Sequence, residues 1–282
     1  MQTQVFHHTL TAADINEQLD ASRLLANISG LSRTAVKDAM SKGAAWLKRG
    51  KSQKRLRRST FKGVAGDVLS LHHNPDILAL IPPLPELIAD ERQYSVWVKP
   101  AGLLAQGSLE GDHCSLLRLA ELQLQREVKL VHRLDREAAG LMLIAHTGRA
   151  AAAFSALFAT GKGDTIRKGY RIRVKGVLAH AGEIASLLDG KSAVTRYRPV
   201  SDDGQRSWLD VDLITGRKHQ IRRHFAGLGY PVLGDPQYGQ HNKDPNGLQL
   251  FAVSMGFTCP LAGTPRHYIW TLPDMQSLPD PV

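Results

Sequence analysis

The stretch that decides the fold is residues 130–147, LVHRLDREAAGLMLIAHT. Its second half, residues 141–145, is a short apolar run that begins just after Gly140, a pattern typical of a buried strand. Asp135 would then lie at the edge of a rigid sheet with arginines on both sides, and nearby positive charge keeps a carboxylate ionised. An ordinary turn, whose carboxylate only neutralises adjacent arginines, would give the same local pattern. This stretch alone predicts a charged aspartate at a sheet edge and leaves its purpose open.

Four further stretches complete a pattern of motifs. They are VKPAGL at 98–103, KGY at 168–170, LITGRKHQIR at 213–222 and GYPVLGDPQYG at 229–239. Together with HRLD at 132–135 and GL at 140–141, they resemble the motifs of RluA-type pseudouridine synthases in the same order. The resemblance covers about residues 83–272. One such motif would be weak evidence, but five in order are specific.

The resemblance implies an enzyme that isomerises uridine to pseudouridine in RNA. This reaction breaks the N1–C1′ glycosidic bond and joins C5 to C1′, and it needs no cofactor and no metal. It needs an ionised carboxylate near C1′, either as a nucleophile on the sugar or to assist elimination, and the resemblance gives this role to Asp135. Arg222 is implied as its ion-pair partner, and Tyr170 as the side chain that stacks on the detached uracil and helps to remove the C5 proton. From local sequence alone, Tyr170 is an ordinary half-buried strand residue.

The same resemblance implies a set of RNA contacts around the active site. The target uridine must leave its helix, because C1′ and C5 cannot be reached inside a base stack. Arg133 would occupy the space that the uridine vacates. Lys99, Arg217 and His219 lie in the matching motifs and are also predicted to bind RNA.

A second compact pattern precedes these motifs. Apolar residues between Leu24 and Leu31 recur at helical spacing, and Ser32 is placed to cap a following helix that ends at Gly43. Residues 31–37 and 65–69 resemble a small ribosomal-protein-type RNA-binding domain, with a blurred start at 15–21. Residues 48–62 hold eight Lys or Arg and no acid, which favours phosphate binding through counterion release over a solvated, mobile loop without a partner. The RNA contacts predicted here are Arg33, Lys37, Arg55, Arg57 and Arg58.

These patterns predict an α+β protein with two domains. Residues 94–282 would form the catalytic domain, with a mixed, mainly antiparallel sheet crossed by an RNA cleft. Residues 1–74 would form a small α+β RNA-binding domain, tethered flexibly by a linker at 75–93. A monomer is expected. The predicted catalytic-domain elements are strands at 94–98, 141–145, 168–177 and 208–214 and helices at 116–127, 150–159 and 217–228, the last with Ile221, Phe225 and Leu228 facing the core.

Composition narrows the class of partner and the compartment. The net charge of +10 and pI of about 9.7 indicate an acidic partner, either nucleic acid or, on charge alone, an anionic membrane surface. Two cysteines are too few for a disulfide framework or a thiolate zinc site. His219 and His224 are five apart with Gln220 between them, so they do not match the zinc-protease motif. No secretory signal or spanning segment is found, and we expect a cytoplasmic protein without membrane contact.

Two rival functions remain open from the sequence. The first is an RNA-binding or ribosome-assembly protein that has lost catalysis, which fits the basic N-terminal region and the Ala-Ala at 138–139, where the family usually has Thr-Ser. Retention of Asp135, Tyr170 and Arg222 together argues against it. The second is a glycosidase-like hydrolase, which needs a second carboxylate that is not evident near Asp135 except Glu137. We favour the synthase, with ribosomal RNA preferred over transfer RNA as substrate because of the N-terminal region.

Overall fold

The computed structural model describes residues 2–160 and 166–272 and divides the chain into two compact units. Unit 1 comprises residues 1–82 together with 106–119, and unit 2 comprises residues 83–105 and the chain from Ala120 onward. The division between Pro82 and Pro83 falls inside the segment predicted as a linker. The boundaries at 1–74, 75–93 and 94–282 stay a prediction.

Unit 1 combines a four-stranded antiparallel sheet with helices that share one apolar core with it. The strand order is β1-β4-β2-β3. Asp20 and Ser32 cap two of its helices, each accepting a backbone N–H with its side chain, and Gly30 ends the first of them in the left-handed conformation. The core includes Leu25 and Met40, which are fully buried. The elements are β1 (Gln4–Thr9), α1 (Ala12–Asn16), α2 (Ala21–Ser29), α3 (Arg33–Ser41), β2 (Ala45–Arg49), β3 (Ser52–Arg55), β4 (Val68–His73) and α4 (Pro75–Leu78).

Two parts of unit 1 differ from the sequence prediction. Residues 1–20, for which no helix or strand was predicted, contain α1 and the edge strand β1, which pairs with β4 along its whole length. The basic segment 48–62, predicted as a loop, contains β3, which forms a hairpin with β2. The hairpin pairs polar residues such as Lys48 and Gln53, so no apolar alternation marks it in the sequence.

The segment 106–119 completes unit 1. Its Asp112 carboxylate lies 3.0 Å from Arg55 Nε and also binds Arg57. The indole Nε1 of Trp46 donates to the carbonyl of Leu109, and the Arg55 guanidinium lies 4.3 Å from the Trp46 ring centroid. The hydrogen bond from Trp46 and the charged contacts of Asp112 therefore fix this segment to the β2–β3 hairpin and to Arg57, and the cation–π contact holds Arg55 and Trp46 together within the hairpin.

Unit 2 is built on a ten-stranded sheet in the order β10-β11-β12-β9-β13-β8-β6-β5, with β14 beside β13 and β7 beside β8. Its strands pair antiparallel except β8 and β13, which pair in parallel at two positions. The elements are β5 (Glu86–Asp90), β6 (Tyr94–Lys99), β7 (Lys129–Leu130), β8 (Ala139–Ala145), α6 (Gly148–Thr160), β9 (Ile166–Lys175), β10 (Gly182–Leu188), β11 (Lys191–Asp202), β12 (Arg206–Leu213), α7 (Gln220–Gly227), β13 (Leu250–Thr258) and β14 (Pro265–Ile269); α5 (Leu116–Leu124) begins in unit 1 and ends in unit 2.

The α+β class and the mainly antiparallel sheet are confirmed. The strand predicted at 141–145 lies within β8, whose residues are all buried, as expected for a continuous apolar run in the middle of a sheet. Helix α7 packs on the sheet through Phe225, whose ring lies 5.4 Å from that of Tyr197. The prediction that Leu228 faces the core is wrong, because α7 ends at Gly227 and Leu228 is 41% exposed. No helix in the described part of the chain is long and apolar enough to cross a bilayer.

Candidate active site

Asp135 lies in the loop that leads into β8, and Arg222 reaches it from the first turn of α7. Arg222 Nη1 donates to Asp135 Oδ2 at 2.9 Å. The side chain of Arg222 is 1% exposed and that of Asp135 is 25% exposed. A guanidinium held in the protein thus binds a carboxylate that can still be approached from outside, which is the arrangement predicted for these two residues.

A third member of this network, Asp235, was not predicted as a site residue. Its carboxylate receives Arg222 Nε and Nη2, both at 2.8 Å, and the backbone N–H groups of Gln237 and Tyr238. Burial acts to raise the pKa of Asp235, but these hydrogen bonds outweigh it and hold the pKa below its ordinary value. The sequence signal that could have identified Asp235 is its place as the acid in the motif at 229–239, because an arginine buried on α7 requires a counter-charge.

The same contacts keep Arg222 charged. Burial opposes its charge, but hydrogen bonds to Asp235 and Asp135 raise the pKa of Arg222 above its usual range. The guanidinium therefore bridges a deeply buried carboxylate and a partly exposed one. The buried one fixes its orientation, and the exposed one is the group available for chemistry.

Tyr170 lies on β9 and lines the same cleft as Asp135 and Arg222. Burial, and then the negative charge of Asp135, raise the pKa of Tyr170, so its phenol is protonated at neutral pH. Beside the carboxylate, the Tyr170 ring can stack on a base, and its protonated hydroxyl can donate a hydrogen bond. The other residues lining the cleft are Arg133, Leu134, Ala138, Leu213, Gly216, Arg217, His219, Gln220, Ile221 and Leu250.

The segment 213–219 is held in place by Gln220. The Gln220 amide donates to the Val194 carbonyl at 3.0 Å and to Thr195 Oγ1 at 2.9 Å. Its oxygen accepts the Thr215 hydroxyl at 2.8 Å and the Arg217 N–H at 3.0 Å. This buried amide therefore fixes the segment that leads into α7, the helix that carries Arg222.

Of the residues predicted to bind RNA near the site, three line the cleft. Arg133 and Arg217 are exposed there, and Arg217 Nε also donates to the Ser192 carbonyl at 3.0 Å. His219 is half-buried, with Nε2 3.5 Å from Asp135 Oδ1. Their placement is compatible with RNA contact, which stays a prediction.

Lys99 is placed differently from the prediction. It is fully buried, and its Nζ lies 2.6–3.2 Å from four carbonyl oxygens, those of Pro100, Leu103, Arg136 and Ala138. Burial lowers the pKa of Lys99 to about 7, whereas its carbonyl acceptors favour the ammonium form. The prediction that Lys99 binds RNA is therefore corrected, because its head group has no access to a phosphate and instead joins two loops beside Asp135.

The predicted RNA contacts in unit 1 separate into two groups. Lys37 and Arg58 are exposed, as is Arg33, which also pairs with Asp20. Arg55 and Arg57 are only 18% and 26% exposed and bind Asp112. Their guanidinium groups already have a carboxylate partner, and RNA contact by these two arginines stays a prediction.

The geometry of the site can be compared with what a metal site and a glycosidase-like hydrolase would need. In the described ranges, no three His, Cys, Asp or Glu side chains come together as ligands for a metal ion. A hydrolase of the glycosidase type would need a second free carboxylate near Asp135. Asp235 is joined to the site through Arg222, but its side chain is fully buried in that ion pair and cannot act as an acid or base on a substrate.

Comparison with known proteins gives a consistent result. A family model described as RNA pseudouridylate synthase matches residues 93–227. Ribosomal large subunit pseudouridine synthase D of Zymomonas mobilis is 28% identical over 96% of this chain and 95% of its own length. An uncharacterized RNA pseudouridine synthase of Chloroflexus aurantiacus is 33% identical over 71% of this chain and 73% of its own. The solved structure of human RNA pseudouridylate synthase domain containing 4 has a TM-score of 0.56 at 24% identity, covering 70% of this chain and 95% of its own, and shows likeness of fold.

Proposed function

The chain belongs to the RNA pseudouridylate synthase family, and on this premise we propose that it acts on ribosomal RNA with Asp135 as its catalytic carboxylate. It is an isomerase that converts uridine to pseudouridine in RNA. The observation that carries the assignment is the Asp135–Arg222–Asp235 network in a cleft also lined by Tyr170. A protein retained only for binding RNA has no use for a carboxylate facing phosphates.

The reaction exchanges one bond to the sugar for another. The C1′–N1 bond breaks, uracil turns within the site, C5 bonds to C1′, the C5 proton is lost and N1 gains a proton. Asp135 either attacks C1′ or assists elimination in the sugar, and Arg222 keeps it ionised and oriented in both cases. Because Asp235 fixes Arg222, little reorganisation is needed when the substrate arrives.

Tyr170 and Arg133 would handle the base and the gap that it leaves. The Tyr170 ring would stack on the detached uracil. Its raised pKa favours the protonated phenol, so stacking is a better-supported role than proton removal. Arg133, exposed at the cleft, would occupy the vacated stack after the uridine is extruded.

The absence of hydroxyls at 138–139 leaves this network intact. Ala138 is 1% exposed and packs in an apolar cluster with Ile221. Its carbonyl accepts from Lys99 Nζ at 2.6 Å, so the loop after Asp135 is held through its backbone. The alanines are therefore compatible with an active enzyme.

Ribosomal RNA is favoured as substrate by two observations. The Zymomonas relative, named for the large ribosomal subunit, aligns along nearly the whole chain. Unit 1 presents exposed lysines at 48, 51 and 54 on its hairpin, and the chain carries a net charge of +10, which suits a folded polyanion. Action in the cytoplasm and as a monomer stay predictions.

The test is a map of pseudouridines in cellular RNA by carbodiimide-dependent primer-extension stops. Cells lacking the protein would be compared with cells given back wild type, Asp135→Asn, or the exposed-site control Asp189→Asn. We expect a stop in ribosomal RNA that disappears on deletion and returns with wild type and Asp189→Asn only. A stop in transfer RNA would redirect the substrate assignment, an unchanged map would remove the proposed activity in those cells, and restoration by Asp135→Asn would remove the catalytic assignment.

A further inference from the structure

One short turn, residues 235–238, supports both oxygens of Asp135. The turn is closed by Asp235 Oδ1, which accepts the backbone N–H groups of Gln237 at 2.8 Å and Tyr238 at 3.0 Å. From this turn, Asp235 holds Arg222, which binds Asp135 Oδ2. From the same turn, the Tyr238 hydroxyl lies 3.0 Å from Nδ1 of His219, whose Nε2 faces Asp135 Oδ1.

His219 has a backbone conformation that serves this contact. It precedes α7 as N-cap with φ 52 and ψ 30, the left-handed region that non-glycine residues seldom adopt. Its imidazole makes no capping hydrogen bond to the helix. Strained residues of this kind persist where the surrounding structure holds them, often at functional sites. Here the ring is held against Tyr238, with centroids 5.6 Å apart in an edge-on arrangement.

The hydrogen-bond partners of the ring determine what it offers to Asp135. A neutral imidazole has one donor and one acceptor nitrogen. If the Tyr238 hydroxyl donates to Nδ1, then Nε2 carries the hydrogen and points an N–H at the carboxylate. The opposite tautomer would turn a lone pair toward Asp135 Oδ1, which is unfavourable. The 3.5 Å separation is longer than a hydrogen bond and can shorten when a substrate binds.

We propose that His219 is a positioning residue for Asp135, oriented by the Tyr238 hydroxyl, rather than an RNA contact. Arg222 and His219 then hold one carboxylate oxygen each, and both depend on the 235–238 turn. This inference rests on the proposed function, because it concerns the same carboxylate. It adds two side chains to the site, His219 and Tyr238, and replaces the RNA-binding role predicted for His219.

The experiment measures tritium release from ribosomal RNA labelled with 5-³H-uridine and taken from cells that lack the protein. Single-turnover rates at several enzyme concentrations separate the maximal rate from the half-saturating concentration. His219→Gly removes the imidazole and relieves the left-handed backbone, so it is expected to fold. We expect its maximal rate to fall roughly 10- to 100-fold with little change in half-saturation, as for a misplaced catalytic group. Added imidazole should restore part of the rate.

Two further variants test the route through the turn. Tyr238→Phe keeps the ring but removes the hydroxyl, and we expect a smaller loss of rate that imidazole does not restore. The double variant should be no slower than His219→Gly alone, because the hydroxyl acts through the imidazole. His241→Gly is the matched control, since His241 is exposed and also left-handed with φ 54, and its rate should equal that of wild type.

The outcomes are distinct from those for the proposed function. If wild type releases no tritium, the proposed ribosomal substrate fails. If wild type is active and His219→Gly keeps its rate, the positioning role is overturned. A raised half-saturating concentration at unchanged rate would return His219 to RNA binding, and additive losses in the double variant would remove Tyr238 from the route.

Discussion

Replacing Asp235 by asparagine exchanges one carboxylate oxygen for an NH2 group and leaves the shape of the side chain almost unaltered. The asparagine oxygen can still accept the N–H groups of Gln237 and Tyr238. The same oxygen still accepts Arg222 Nη2, but the NH2 group takes the place of Oδ2 and faces Arg222 Nε, so two donors meet there instead of a donor and an acceptor. The buried guanidinium keeps Asp135 as its remaining carboxylate.

The size of the effect follows from burial. The side chains of Asp235 and Arg222 are 0% and 1% exposed, and removing one partner of such a buried pair costs roughly 3–5 kcal/mol of unfolding free energy. Domains of 150–250 residues lose about 2–4 °C in Tm per kcal/mol, so the expected decrease is roughly 6–20 °C. The maximal rate of tritium release should fall by about 100-fold, because Arg222 no longer orients Asp135.

The neighbouring residue on α7 provides a matched control. Arg223 also binds an aspartate through two nitrogens, with Asp189 at 2.8 and 3.1 Å, but these side chains are 25% and 69% exposed. Asp189→Asn should leave Tm and rate close to wild type, since exposed ion pairs contribute little. Differential scanning calorimetry and the tritium assay measure both variants. Equal melting temperatures for the two variants, or full activity of Asp235→Asn, would refute the reasoning from burial.

Three further predictions concern stability and RNA affinity. Burial, and then the charge of Lys168, lower the pKa of His132 to about 3. The contribution of the neutral His132 ring to stability is therefore complete above pH about 6.5 and is lost as the pH falls toward 3. His132→Gln should flatten this part of the Tm–pH curve. Lys99→Met should lower stability by about 2–5 kcal/mol, measured by denaturant titration, because buried carbonyls lose their donor, whereas the exposed Lys191→Met should not. Arg133→Ala should weaken RNA binding about tenfold and reduce its salt dependence by about one counterion in filter-binding assays, and unchanged affinity and salt slope would show that Arg133 does not contact the RNA.

Local sequence was sufficient for elements whose own residues carry the pattern. The apolar run of β8, the Ser32 cap of α3 and the core face of α7 at Ile221 and Phe225 could all be predicted this way. Eight strands were not predicted: β1, β3, β5, β7, β10, β11, β13 and β14. Some, such as β1 and β13, pair with strands far away in the sequence, and others lack a clear pattern of buried and exposed residues. β10, for example, is an edge strand with mostly exposed residues, so no burial pattern marks it.

The roles of charged residues buried inside the protein could not be predicted from the sequence. Asp135, Tyr170 and Arg222 were identified by their motifs, and the structure brings them to one cleft. Lys99 was misassigned because a motif lysine looks the same whether its ammonium meets a phosphate or a set of carbonyls. Asp235 was missed because its role depends on a guanidinium 13 residues away in sequence and on burial, neither of which a local pattern reports.

The parallel pairing of β8 with β13 has a consequence for where the sheet can unfold locally. In the described part of the sheet, backbone pairing joins the two antiparallel blocks at Phe251–Ala139 and Ala252–Gly140 only, and a Cβ on Gly140 would lie 2.2 Å from the Ala252 carbonyl oxygen. Asp135 precedes β8 in one block, whereas Arg222 packs on the other, so their ion pair spans this seam. Parting the blocks would break these two pairs, the Tyr94–Tyr268 hydroxyl contact and the apolar packing of residues such as Val96 against Met255, while the strand pairing inside each block is kept. Amide exchange at the seam should therefore proceed through a local opening, of lower free energy than global unfolding, that coincides with loss of activity.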